Sequence, residues 1–361
     1  MIKNSICRDA ARKIFINIKK IIMQKIILYD TTLRDGNQAE NINFSVQDRI
    51  NITKQLDNIG IDYIEGGWPG ASACERNFFN VAKQMSLNNS KLVAFCRTRK
   101  AMTSIKEDAQ IKALIEAETN AVSIFGKSRI FHIQYLMKNN DAQENLLMIS
   151  DTISYLKDNN KEVIYNAEQF FDGYKENKDY ALSTLKAALS AGADYLVLCD
   201  TNGGSLPFEI ENITKTILKT LINDYGFDKN LVKIGIHAHN DIGLAVANSI
   251  YAVKAGAVMA HGTINGYGER CGNADLTALI PIFKIKMNYD CSITSEQLKN
   301  LTKLSKFVAD TAKKTYYQFQ PFVGKNAFAH KAGMHISAIK KAPKAYEHID
   351  PELIGNIRKG I

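Results

Sequence analysis

With 361 residues and 45% apolar content, the chain can bury one large core and still build a smaller appendage, which excludes a small stapled domain. Its net charge of +9 owes much to Lys3, Arg8, Arg12, Lys13, Lys19 and Lys20, all before Met23, and no helix-turn-helix, RRM or zinc-finger spacing accompanies it, so no nucleic-acid partner is expected. No stretch approaches the ~20 uninterrupted apolar residues of a membrane helix, so a soluble, cytoplasmic protein without a membrane partner is expected.

Residues 1–24 form a basic extension whose acidic content is Asp9 alone. Two readings stand: a targeting peptide, which would make the protein organellar, or a mis-assigned start, with Met23 opening the strand-like run MQKIILYD. The low serine content favours the second. From Lys25 onward, short β-branched runs alternate with longer amphipathic ones. Strands are expected at KIILYD (25–30), in NIGIDYIEGG (58–67), at KLVAFC (91–96), AVSIF (121–125) and EVIYNAE (162–168), in SAGADYLVLCD (190–200), at KIGIHAH (233–239) and in KAGAVMAHGTI (254–264). Three of these junctions nearly repeat, with Gly60, Gly192 and Gly256 where a left-handed residue closes a helix without a Cβ clash. The stretches between strands read as helices, such as the one with Val46, Ile50, Leu56 and Ile59 on one face. Continuous apolar strands joined by helices imply a parallel sheet buried on both sides. Eight such units predict an α/β fold, a (β/α)8 TIM barrel over 25–292, followed by a small, mainly helical linker and lid over 293–361. A doubly wound sheet competes, but its glycine-rich turn after strand one is replaced by TTLRDGNQ. The six cysteines are scattered without CxxC pairing, as reduced thiols are, so neither disulfides nor a cysteine zinc site is expected.

Nearly every predicted strand ends in a charged or amide residue: Asp30, Arg34 and Asp35; Glu65; Arg97; Lys127; Glu168; Asp200, Thr201 and Asn202; His237 to Asp241; Asn265 to Asn273. In a barrel these ends share one rim, so the charges are expected to converge on a single mouth. His237 and His239, two apart on a strand, put both imidazoles on one face. Asp35 and Asn273, from the loops after the first and eighth strands, can reach the same point once the barrel closes. Two imidazoles and a carboxylate with open positions suit Mg²⁺, Mn²⁺ or Zn²⁺ in Lewis-acid catalysis. Taken alone, the HxH pair reads equally as hydrogen-bonded core histidines, and Asn240 and Asp241 read either as loop caps or as supports of the ligands.

DTTLRDGNQ, HAHND and GERCGN, in that order, resemble the metal-dependent acyltransferase and lyase superfamily that contains the isopropylmalate, homocitrate and citramalate synthases. LYDTTLRDG, YIEGGWPG, FGKS, EVIYNAEQFFDGYK, LVLCDTNGG, INGYGERCGNADL and AFAHKAGMHISAI are most similar to its citramalate synthase branch, from Lys25 to about Arg358. The resemblance implies condensation of acetyl-CoA with pyruvate, a step of isoleucine biosynthesis, on an ion held by Asp35, His237, His239 and Asn273. Arg34 would lie beside the developing alkoxide, and Glu168 and Thr201 would contact the 2-oxo acid or orient the acetyl group. His335 and Tyr346 would serve deprotonation of the acetyl group, shared between the subunits of a homodimer, and His330 and Lys331 match CoA-phosphate contacts on charge grounds. Long family members continue into an allosteric domain, whereas Ile361 is the last residue here, so the C-terminal regulatory domain is expected to be absent, which leaves open whether feedback control and full activity persist. Arg129 and Ile130, Ile242, and CERN at 74–77 depart from the family pattern. The alternatives are a 2-isopropylmalate synthase using 2-oxoisovalerate, a lyase of the hydroxymethylglutaryl-CoA type, which GERCGN disfavours, and a truncated, non-catalytic remnant. Retention of the ligand set argues against the last.

Overall fold

The computed structural model describes residues 25–137 and 141–360. The basic extension and Cys7 lie outside them. Eight parallel strands pair in chain order: β1 Lys25–Asp30, β2 Tyr63–Gly67, β3 Lys91–Arg97, β4 Ala121–Lys127, β5 Glu162–Glu168, β6 Tyr195–Asp200, β7 Ile234–Ala238 and β8 Met259–Gly262. Tyr29 of β1 sits in register with Tyr63 of β2 and with His261 of β8, so the sheet closes on itself. This is the expected TIM barrel; the five strands given explicit limits in the sequence match to within about two residues, and the other three lie inside the junctions that held them. A short ninth strand, Asp290–Cys291, pairs beside Lys25 and Ile26 at the start of β1.

The strands are buried on both faces because a period of two sends alternate side chains to different layers. Leu28, Ile64, Ala94, Val122, Ile124, Leu196 and Ile236 point outward into the layer shared with the helices, all fully buried or nearly so. Tyr29, Tyr63, Val93, Ala121, Ile164, Tyr195, Val197 and Met259 fill the barrel interior. At roughly 1.5–3 kcal/mol for each fully buried large apolar side chain, the outer layer is the main anchor of strand to helix. The helix Val46–Ile59 shows how each unit is delimited. Ser45 caps it with a reciprocal Asp48 bond, and Gly60 ends it at φ 94°. Gly192 and Gly256 also take left-handed φ, of 97° and 116°, as their cap positions require.

Beyond β8 the helix Leu301–Thr311 buries Leu301, Leu304 and Val308. Its Ser305 hydroxyl donates to Asn265 Oδ1 at 2.5 Å, and Asn265 Nδ2 donates to the Ser305 carbonyl at 2.9 Å, tying this helix to the loop after β8. A further helix, Gly333–Lys341, and a two-residue parallel pairing of Ala329–His330 with Lys359–Gly360 follow. Cys96, Cys199 and Cys291 are buried thiols, while Cys74 and Cys271 are exposed. Among the described residues, no helix is long and apolar enough to cross a membrane.

Candidate active site

Strand parity also decides which residues reach the barrel mouth. A cavity of about 210 Å³ opens there, lined by Phe95 from β3, Phe125 from β4, Asn166 and Glu168 from β5, Cys199 and Thr201 from the end of β6, and His237 and His239 from the end of β7. Each pair from one strand is two residues apart, so all share the inward face. Asp30 and Asp200 have the opposite parity and do not join the mouth, contrary to the convergence expected of every strand-end charge. Asp30 turns outward to accept the Thr32 N–H and hydroxyl at 2.9 and 2.7 Å, and Asp200 accepts the Ser205 hydroxyl at 2.8 Å. Arg97 does not line the cavity either; it pairs with Asp108 at 2.8 Å.

At the floor of the cavity, Asp35 Oδ2 lies 3.1 Å from His237 Nε2 and 3.7 Å from His239 Nε2, and the two Nε2 atoms are 3.3 Å apart. The three residues form a group able to hold a metal ion, and each is at least 94% buried. Asn273 adjoins them, with Nδ2 2.9 Å from Asp35 Oδ2, while its Oδ1 is buried without a hydrogen-bond partner among the described residues. The loop after β8 delivers Asn273 through tight glycines. A Cβ at Gly268 would fall 1.9 Å from Asn273 Oδ1, and Gly272, at φ 89°, would put a Cβ 2.0 Å from the Gly266 carbonyl. An antiparallel bridge between His239 and Asn273 then locks the loops after β7 and β8 together.

Electrostatics prepares these groups as ligands. Burial disfavours the charged form of Asp35, but the Arg34 guanidinium and His237 outweigh it and hold the carboxyl well below the usual range. Burial, reinforced by His237, pushes His239 down to about 4, leaving its imidazole neutral at pH 7. An ionised carboxylate, a neutral imidazole beside a second one, and an unpartnered amide oxygen fit a divalent cation.

Arg34 stands over this cluster. Its Nε donates to Glu65 Oε2 at 2.6 Å, its Nη1 lies 3.3 Å from Asp35 Oδ2, and its guanidinium stacks 4.2 Å from the Phe95 ring centroid. Glu65 is fully buried and also accepts the Tyr29 and Thr31 hydroxyls, each at 2.6 Å. Tyr29 in turn stacks on His261 at 3.8 Å. Glu168 forms an ion pair with Lys127 at 2.7 Å. The Thr201 hydroxyl accepts the Gln169 N–H at 2.8 Å, and its carbonyl accepts Arg270 Nη2 at 2.7 Å. Arg270 lines the cavity and grips Asp241 at 2.7 and 3.0 Å, whereas Asn240 Oδ1 caps Ala245 N–H at 3.1 Å. Burial, then Glu168, keeps the Cys199 thiol far above its ordinary pKa, so the cavity holds no thiolate nucleophile.

His335 and Tyr346 stack on each other, with ring centroids 4.0 Å apart and Tyr346 45% exposed, but neither lines the cavity. His330 Nε2 lies 3.5 Å from Glu347, which binds Arg358 at 2.7 Å, and Lys331 is exposed. The sequence reading did not pick out Trp68, Phe95, Phe125, Asn166 or Cys199 as cavity residues, and took in Arg270 only as part of the run Asn265 to Asn273. The signal for four of them was available, since Phe95, Phe125, Asn166 and Cys199 share the inward parity of Glu168 and His237.

A family model described as HMGL-like matches residues 25–308, and one described as homocitrate synthase post-HMGL domain-like matches residues 322–361. The chain is 52% identical over 336 residues to an (R)-citramalate synthase of Aquifex aeolicus, an alignment that takes in 93% of this chain and 62% of that protein. It is 33% identical to a 2-isopropylmalate synthase of Sulfolobus acidocaldarius, over 93% of this chain and 81% of that protein. The crystal structure of a Bacillus subtilis HMG-CoA lyase shares the fold, with a TM-score of 0.65 at 20% identity, covering 81% of this chain and 95% of that one. This chain thus spans between 60% and 62% of the length of the citramalate synthases it matches.

Proposed function

We propose that this chain, which belongs to the HMGL-like family, joins the methyl carbon of acetyl-CoA to the keto carbon of pyruvate and releases (R)-citramalate and free CoA. The observation that carries the reading is the meeting of Asp35, His237, His239 and Arg34 in one cavity at the C-terminal mouth of the barrel. The greater identity to citramalate synthases than to a 2-isopropylmalate synthase supports pyruvate over 2-oxoisovalerate as the acceptor.

Carbon–carbon bond formation places negative charge on the former keto oxygen. A divalent cation, held by Asp35, His237, His239 and Asn273, would supply Lewis-acid polarisation of that carbonyl. Arg34 offers a fixed positive charge beside the same point. Glu65 and the Phe95 ring hold its plane in advance, so little reorganisation is needed as the charge grows. Thr201 and Glu168, on the same inward faces, contact the acid or the acetyl group. The acetyl methyl must lose a proton to become a nucleophile, and His335 with Tyr346 serves that step across a homodimer interface. In this assignment residues 25–292 are the catalytic barrel and 293–361 the shared lid. Water then cleaves the thioester, giving the carboxylate and the CoA thiol.

The test is pyruvate-dependent release of thiol from acetyl-CoA by the Mg²⁺- or Mn²⁺-supplemented full chain, expected to vanish on chelation and return on adding metal. Folded, metal-loaded protein that releases no thiol with pyruvate would overturn the proposal, and faster release with 2-oxoisovalerate would move the chain to the isopropylmalate reaction.

A further inference from the structure

The loop after β2 carries the chain's single tryptophan, Trp68, into the cavity beside Arg34 and the ligand cluster. There its ring meets Phe95 and Phe125 edge-on, at 5.8 Å each, while those two rings stack 5.3 Å apart. The three rings make one apolar wall in a cavity whose other lining is mostly polar. A 2-oxo acid whose carboxylate and keto oxygen face the ligand cluster has its alkyl end left for this wall. How firmly the indole is held therefore decides how large that end can be.

Two side chains that do not line the cavity hold it. Glu75 Oε2 accepts the Trp68 backbone N–H at 2.9 Å, and Gln110 Oε1 accepts the indole Nε1–H at 2.7 Å. Each is secured in turn. Fully buried Arg49 binds Glu75 through two bonds of 2.8 and 2.9 Å, and Gln110 Nε2 donates to the Gly70 carbonyl at 3.1 Å. The flanking glycines leave room for both. A Cβ at Gly67, at φ 138°, would fall 2.1 Å from Glu75 Oε2, and one at Gly70 would fall 2.2 Å from Gln110 Oε1.

We propose that Glu75 and Gln110 are positioning residues that clamp Trp68 from behind as the size-limiting wall of the 2-oxo acid site, confining it to a methyl-sized side chain. This rests on the condensation reading above for the class of ligand. It does not depend on turnover. Discrimination against one extra methylene in such a pocket is typically ~10-fold or more.

Because Trp68 is the sole tryptophan, its fluorescence reports binding without a catalytic assay. Pyruvate, 2-oxobutyrate and 2-oxoisovalerate are titrated into the Mg²⁺-loaded full chain and into its Gln110→Leu and Gln110→Glu variants. In the parent, pyruvate is expected to bind about tenfold more tightly than 2-oxobutyrate. Gln110→Leu should bring that ratio close to one and shift the emission to the red, while Gln110→Glu, which keeps an acceptor for the indole but loses the donor to the Gly70 carbonyl, should preserve more of the preference than Gln110→Leu. Trp68→Leu, followed by calorimetry, should relax the preference to a similar extent and covers the case in which Gln110→Leu does not fold. An unchanged ratio in Gln110→Leu and Trp68→Leu, no preference in the parent, or no response to any of the three acids overturns the clamp. Selective binding without thiol release would sink the condensation reading and leave the clamp standing.

Discussion

Replacing Glu65 by Gln tests the arrangement around Arg34 with little change in shape. Glu65 is fully buried and accepts three bonds of 2.6 Å, from Tyr29, Thr31 and Arg34. The Tyr29 and Thr31 hydroxyls can turn to accept from an amide, but the Arg34 Nε–H can only donate. The amide oxygen is thus drawn to Arg34, and what is lost is mainly the negative charge. Breaking a buried ion pair costs roughly 3–5 kcal/mol. Asp35, 3.3 Å away, and the 16% exposure of the Arg34 side chain soften that loss, so the low end, about 3 kcal/mol, is expected. For a chain of 361 residues that corresponds to a fall in melting temperature of roughly 4–5 °C. Asp35 is then the one carboxylate still paired with Arg34, and thiol release should fall on the order of 100-fold in kcat, the scale of losing one preorganised oxyanion contact. Bound metal should stay near the parental level, since Glu65 touches none of the ligands. Melting curves, metal content and pyruvate-dependent thiol release report the three quantities separately. A variant with parental kcat would refute Glu65 as the residue that presents Arg34, whatever its melting temperature.

The metal cluster makes a second prediction: Asp35→Asn and His237→Ala should each lose bound divalent ion by elemental analysis, and in the parent a cation at about 100 times its Kd should raise stability by ~2.7 kcal/mol, seen as a chelator-sensitive melting temperature. Asp30 makes a third, with a sign opposite to that of most carboxylates. Burial pushes it from 3.8 up to about 7, so between those values the folded chain holds a proton that the unfolded chain has lost. Its contribution is therefore present below about pH 4 and is lost as pH rises through about 7, an interval worth about 4 kcal/mol at ~1.4 kcal/mol per unit. Asp30→Asn should remove that decline when parent and variant are melted at pH 5 and pH 8, and parallel curves would refute the assignment. A fourth concerns the lid. Mixing Asp35→Asn chains with His335→Ala chains, each inactive alone, should restore about a quarter of parental activity if one subunit's lid completes the other's barrel. No recovery in exchanged dimers would place lid and barrel within one chain.

Much of the barrel was legible in the residues themselves because its signals are local. Continuous apolar runs, the glycines at 60, 192 and 256, and the capped helix beginning at Val46 each require only neighbours along the chain. The HxH spacing belongs to the same class, since a period of two puts His237 and His239 on one side however the strand is later packed. The same alternation, applied strictly, would have turned Asp30 and Asp200 outward and added Phe95, Phe125, Asn166 and Cys199 to the cavity; expecting every strand-end charge to reach the mouth overlooked it.

Tertiary structure alone decided which distant residues answer one another. Barrel closure puts β1 beside β2, and so gives Arg34 the buried Glu65 as its partner. The loop after β8 reaches Asp35 only because Gly268 leaves no Cβ in the way of Asn273 and Gly272 none in the way of the Gly266 carbonyl. Arg49 is charged yet fully buried, because Glu75 meets it from the next helix. Periodicity and capping are written within a few residues, whereas a buried charge is tolerable only beside its counter-charge, and the path that brings the two together is a property of the closed barrel.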